Sequence, residues 1–204
     1  GEVDNLVVRG SMRIYELLVQ QIRATNGSVF VTSTGKVASA TLSSGTIGVA
    51  SSTYTLTTEN GTNHGFAVND LIRAQRWTGG GTVYQIDMTV TSVTSSTVFV
   101  ASLLETNAYV QTTDVAAFTG ADFVRLGNSS DSTRRGSVYL TADDSAAPYI
   151  DIVDGVTSHA TFNSTGNVKV RLGKLSGIID TAVGLSSTVV YGLYSDSAFL
   201  KGNL

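Results

Sequence analysis

Three residues near the middle of the chain carry the clearest binding chemistry. Trp77 is the only tryptophan; it follows Arg73 and Arg76 and precedes the run Gly79-Gly80-Gly81. An exposed indole offers a flat apolar face to the C–H face of a sugar ring, and a flanking guanidinium donates to sugar hydroxyls. The competing arrangement puts Trp77 over the core of a small barrel, with Arg73 and Arg76 on the opposite, solvated face. The glycines read as a hairpin tip, because neither a Gly-Lys-Ser/Thr ending nor a following helix makes them a phosphate loop.

The acidic residues Asp143, Asp144, Asp151 and Asp154 raise calcium binding or acid–base chemistry. Their spacing matches neither the EF-hand loop nor the glycine-rich nonapeptide repeat. Asp143 and Asp144 read as turn residues. Asp151, between Ile150 and Ile152, is expected on the solvent side of a strand. A glycosidase needs two carboxylates several ångströms apart, and Asp151 with Asp154 is the pair considered. No nucleophile elbow and no H-E-x-x-H helix is present. His64 is expected in a turn and His159 beside a strand, and the absence of cysteine excludes disulfides and thiolate metal sites. From the residues we expect no enzyme, no catalytic residue, no metal and no cofactor.

The elements around these residues are mostly strands. In Tyr84–Val93, the residues Tyr84, Ile86, Met88 and Val90 alternate with Gln85, Asp87, Thr89 and Thr91, which predicts one core face and one wet face. Further strands are expected at Tyr54–Thr58, Phe66–Gln75 and Thr97–Leu103, and the group predicts a small antiparallel barrel or sandwich over 38–121. Val29–Val37 reads as a hairpin turning at Gly35, which would supply a positive φ. Gly136–Thr141, Pro148–Asp154, Ala160–Asn163 and Val189–Leu200 are strand-like. Val124-Arg125-Leu126-Gly127 returns as Val170-Arg171-Leu172-Gly173, and Ser33-Thr34-Gly35-Lys36 is echoed by Ser164-Thr165-Gly166-Asn167; both echoes suggest reused hairpins. Only Ser11–Thr25 has a helical pattern. Met12, Tyr15, Val19 and Ile22 form a stripe, Ile14, Leu17 and Leu18 widen it, and Asn26-Gly27 supplies a stop. Such a face suits either a helix packed on the chain's own sheet or a short bundle formed by several copies.

Composition limits the partners. Sixteen acidic against thirteen basic residues give a net charge of -3, no field for a nucleic acid. Apolar runs are far shorter than the roughly 18 residues of a membrane-spanning helix, so no membrane insertion is expected. Serine and threonine fill 51 of 204 positions, which gives a neutral, hydroxyl-rich surface that still favours strands. Gly136–Gly155 has too few large apolar residues to stand alone, and it is expected to lean on other copies of the chain or, alternatively, on sandwich packing within the chain. The ending Lys201-Gly202-Asn203-Leu204 suggests a fragment of a longer polypeptide.

The stretches Val8–Val37 (VRGSMRIYELLVQQIRATNGSVFVTSTGKV), Val124–Gly155 (VRLGNSSDSTRRGSVYLTADDSAAPYIDIVDG) and Tyr191–Leu204 (YGLYSDSAFLKGNL) resemble bacteriophage and prophage tail and tail-fibre proteins of the minor structural or host-specificity type. Together they cover about half the chain. FAVNDLIRAQRW (Phe66–Trp77) is similar to the F-x-x-G-D-x-I pattern of small barrels inserted in such proteins, with Asn69 where glycine is usual; asparagine also tolerates a left-handed backbone. The resemblance implies a mainly β chain: a helix-plus-hairpin oligomerisation segment at 1–37, an inserted β domain at 38–121 and a β-rich fibre domain at 122–204, intertwined as a homotrimer. It implies a virion structural protein of the phage tail that contacts other tail proteins and presents a domain for host attachment. Arg73, Arg76 and Trp77 are then the candidate contacts to a host-surface glycan. The rival functions are a polysaccharide-cleaving tail-spike module and a bacterial adhesin unit.

Overall fold

The computed structural model describes residues 27–77, 83–144, 146–186 and 190–199. The expected helix at Ser11–Thr25, the glycine tip Gly79–Gly81 and the ending 201–204 lie outside the described residues. Among the described residues the chain is mainly β, with two antiparallel sheets and one short helix. Six strands close into a barrel in the order β2 (Thr34–Ser44), β3 (Thr53–Thr58), β6 (Val98–Leu103), β5 (Val83–Ser95), β4 (Asp70–Trp77) and β7 (Asp122–Asn128). Closure leaves no free edge in this sheet.

Alternation explains the barrel core. Tyr54 and Leu56 of β3, Ile72 and Ala74 of β4, Ile86, Met88 and Val90 of β5, and Phe99 and Ala101 of β6 all point inward and are buried. The expected core face of Tyr84–Val93 is therefore the observed one at Ile86, Met88 and Val90. One end of the barrel is closed by α1 (Ala108–Thr113) and the 3-10 turn Asp114–Phe118, which insert Val110, Ala117 and Phe118. Asn107 caps α1 by accepting from the backbone N–H groups of Tyr109 and Val110.

The second sheet is open, in the order β1 (Ser28–Val31), β8 (Ser137–Thr141), β9 (Tyr149–Val153), β10 (Val168–Lys174) and β11 (Tyr191–Ser195). Its inner face buries Tyr139, Tyr149, Val153, Val168 and Tyr194 together with Phe162, Leu175 and Ile178. Leu71 of β4 and Leu126 of β7 belong to this second core, so two barrel strands also serve as the floor of the open sheet.

Several expectations are corrected. Val29–Val37 is not a hairpin: β1 pairs with β8, while β2 pairs with β3 and β7. Gly35 has no positive φ; instead a Cβ there would come within 2.9 Å of the Phe66 ring. The repeated Val-Arg-Leu-Gly runs lie on β7 and β10, in different sheets, and Thr165–Asn167 is a 3-10 turn, so the echoes are not reused hairpins. Ala160 and Thr161 fall in the 3-10 turn His159–Thr161 and not in a strand. The barrel's closing strands reach outside the span 38–121 at both ends, because β2 and β7 pair with each other from Thr34 to Lys36. Of the two supports expected for Gly136–Gly155, the structure shows packing within the chain: its inward side chains meet those of the loops after β9 and β10.

Candidate functional site

Arg73 and Asp87 face each other across β4 and β5 on the outside of the barrel. The guanidinium forks onto the carboxylate, Nε to Oδ1 at 2.7 Å and Nη2 to Oδ2 at 2.8 Å. Both side chains keep about a fifth of their surface, 18% and 20%. They line a cleft of about 280 Å³ with Gln85, Glu105, Asn107 and His159, where the barrel meets the loop after β9. Asn107 donates its amide to the Gln85 carbonyl, which ties the α1 entry to the cleft wall. The wall is a set of paired donors and acceptors with one exposed carboxylate, Glu105.

The structure does not bring the three sequence-derived contact residues onto one face. Ile72 and Ala74 point inward, so Arg76 shares the inner side of β4 while Arg73 lies on the outer side. Arg76 pairs in register with Tyr84 and reaches toward Gly120 at the barrel's mouth. Tyr84 stacks on Tyr109 with ring centroids 4.9 Å apart and planes 19° from parallel. Trp77 ends β4, its backbone opposite Val83. The alternative in which Arg73 and Arg76 share a solvated face is thereby corrected: residues three apart on a strand point to opposite sides.

The acidic group is dispersed by the fold. Asp151 is not on a solvent face; it has no exposed surface, and Ile150 and Ile152 point outward in its place. Arg171 binds it through two hydrogen bonds of 2.7 and 2.6 Å and gives a third to the Ser176 carbonyl. The same guanidinium sits 3.8 Å over the Tyr149 ring. Burial pushes the Asp151 carboxyl above its ordinary range, and Arg171 opposes that shift. Asp144 accepts hydroxyl hydrogens from Tyr139 at 3.0 Å and Tyr149 at 2.7 Å, joining β8 and β9. Burial, with Asp144 adjacent, pushes the Tyr149 hydroxyl strongly up. Asp143 and Asp154 are exposed. Asp151 and Asp154 therefore share no open cleft, as the cleaving chemistry considered above would require. Among the described residues no group of three or more metal-ligating side chains converges.

Both histidines are buried: His64 lies in the loop before β4, in keeping with the expected turn, whereas His159 opens a 3-10 turn and does not border a strand. His64 Nδ1 accepts from the Phe66 N–H, so Nε2 carries the hydrogen donated to the Ser95 carbonyl. His159 opens a 3-10 turn and places Nε2 3.2 Å from the Ile72 carbonyl. Desolvation lowers the His159 pKa below 6.5.

One structural centre escaped sequence reasoning although its signal was present. In the Phe66–Trp77 run, Asn69 adopts φ 67, as its substitution for glycine suggested. The turn directs Asp70 inward, where it has no exposed surface. Its carboxylate accepts from Arg134 Nε and Nη2, Asn128 Nδ2 and the Ala67 N–H, all within 3.0 Å. The bond to Asp70 holds the Arg134 guanidinium further into its charged range. Comparison with protein-family models, curated proteins and solved structures finds no match to this chain.

Proposed function

We propose that this chain is a structural module of a phage or prophage tail fibre or distal tail, assembled as a homotrimer with other tail proteins, that holds its barrel toward the host surface. The observation that supports this reading best is the outer face of the open sheet. Val31, Ile152, Leu172 and Leu193 are 68%, 46%, 54% and 65% exposed there, and Val29, Leu140 and Ile150 complete the face. Cross-strand register aligns Val29, Leu140, Ile150, Leu172 and Leu193 in one row across all five strands. The exposed area of these residues is on the order of 600 Å², at the upper end of the largest apolar patch of a typical monomer. A sheet apolar on both faces is the middle layer of something larger.

The barrel is suited to display. Its hydrogen-bonded sheet is closed, its outer surface is polar, and the cleft at Arg73 and Asp87 offers donors and acceptors to a neutral, hydroxyl-bearing ligand such as a glycan. Single sugar contacts are weak, about millimolar, and three copies on one assembly raise apparent affinity through avidity. An antibody against the chain, used in electron microscopy of virus particles from a strain that encodes it, tests the reading. Label on the distal tail is expected; label confined to the cell envelope, with bare particles, would contradict it and favour an adhesin.

A further inference from the structure

We infer that the barrel carries an extended groove for a linear, uncharged oligosaccharide, which runs along the outer face of β4 and β5 and rejects anionic chains. The inference rests on the reading of the barrel as the part held toward the host surface, and it adds the ligand's chemical class and the residues that select it. The groove begins at the Arg73–Asp87 cleft, whose volume of about 280 Å³ falls short of the roughly 300–1,000 Å³ of small-molecule sites. A second cavity of about 540 Å³ lies beside it, between Gln75, Val83 and Gln85 of the barrel and Ala142, Asp143 and Asp144 after β8. Gln85 lines both cavities and its side chain is exposed, so the two meet there. One segment of the second sheet's loops also borders both. His159 and Ala160 line the first cavity, and Asn163 donates its amide to Asp144 Oδ2 of the second at 3.4 Å.

Strand parity builds the floor. Ile72, Ala74 and Ile86 point into the barrel, so Arg73, Gln75, Gln85 and Asp87 point out. Register sets these four as two rungs, Arg73 opposite Asp87 and Gln75 opposite Gln85. Residues two apart on a strand are about 7 Å apart, so the rungs follow one another at about that interval. Each rung both donates and accepts. A glutamine amide has N–H donors and a carbonyl, and Arg73 forks onto Asp87 through Nε and Nη2 while Nη1 carries further N–H donors. Sugar hydroxyls donate and accept in the same way, so successive units of one chain find the same kind of partner at each rung.

Charge decides which chains enter. Asp87, Glu105, Asp143 and Asp144 line the two cavities, against Arg73 as the one cation among the described lining residues. Asp87 already pairs with that cation. The unbalanced carboxylates therefore stand at both ends of the groove, Glu105 in the first cavity and Asp143 with Asp144 in the second. A chain bearing uronate, sialate or phosphate would bring like charge against them, whereas an uncharged chain offers hydroxyls that these carboxylates accept from.

Isothermal titration of the purified chain tests the groove with disaccharides and hexasaccharides of cellulose, xylan, chitin and starch, and with hexagalacturonate as the anionic probe. In at least one uncharged series the hexasaccharide is expected to bind with a Kd of about a millimolar or below, at least about tenfold tighter than its disaccharide. Hexagalacturonate should not bind. Gln85→Ala, at an exposed position shared by both cavities, should weaken the hexasaccharide by at least about fivefold without moving the melting temperature. Glu105→Lys combined with Asp143→Lys should admit hexagalacturonate. Binding of hexagalacturonate by the unmodified chain, equal affinity for disaccharide and hexasaccharide, indifference to Gln85→Ala, or no binding in any uncharged series would overturn the inference. Oligosaccharide binding by a protein that is absent from virus particles would keep the groove and sink the tail setting. Label on the distal tail without oligosaccharide binding would do the reverse, so the two failures are separable.

Discussion

Asp151 and Arg171 face each other across β9 and β10 with 0% and 3% side-chain exposure, while their neighbours on the same strands turn apolar side chains to the outside. Such a pair is expensive to desolvate and does little for net stability, but breaking it leaves a charge in the core. Arg171→Met should therefore cost about 3–5 kcal/mol in urea denaturation, and adding Asp151→Leu should recover most of that loss. No recovery in the double variant would show that Arg171 acts mainly through Tyr149 and the Ser176 carbonyl. His159 gives a pH signature. Its folded pKa lies below 6.5, so below pH 6.5 the unfolded chain binds more protons and stability falls as pH drops. The loss should be visible between pH 6.5 and about pH 5, before most carboxylates titrate, and should be absent in His159→Gln, whose amide can still donate to the Ile72 carbonyl. Equal slopes in the two proteins would place the dependence on another group. At this scale the sequence was readable where one residue type answered one backbone need, as at Asn69. It was misleading at Asp151, because a strand lined with apolar residues on both sides gives no parity from which to tell inside from outside. The divergence of Arg73 and Arg76 was legible in principle, since strand residues three apart always part.

β4 and β7 carry the connection between the two sheets. Each turns one face to the barrel and contributes a leucine, Leu71 or Leu126, to the other core. A tight approach lies at Gly127, where a Cβ would come within 2.3 Å of the Val156 carbonyl oxygen. The same Cβ would lie 2.6 and 2.8 Å from Val156 Cβ and Cγ1, so both the backbone and a stiff branched side chain would have to move. Gly127→Ala should destabilise by about 1–3 kcal/mol, measured as a lower urea midpoint. A neutral result would mean that the loop after β9 shifts freely and that the sheets are joined mainly through the Asp70 network. Individual strands were legible because alternation and turn residues are local properties. Their partners were not: β1 and β2 are separated by two residues, yet they join different sheets, and only distant pairing with β8 and β7 decides that. The same limit explains the Val-Arg-Leu-Gly echo. One copy leaves Arg125 beside the Gly136 carbonyl and the other sends Arg171 to Asp151, so an identical local sequence serves two tertiary roles.

The whole molecule is asymmetric in what it finishes. The barrel closes on itself and plugs one end with its own helix, whereas the open sheet is packed on one face and apolar on the other. The acidic residues considered for catalysis are divided between a structural ion pair, tyrosine hydrogen bonds and open solvent. Sequence resemblance supplied the proposed tail setting, and the outer sheet face is the feature that makes assembly physically reasonable. Sedimentation equilibrium of the purified chain over micromolar concentrations tests this most directly. A single species near three times 21.3 kDa that persists on dilution is expected. A stable species at 21.3 kDa across that range would contradict the proposed trimer.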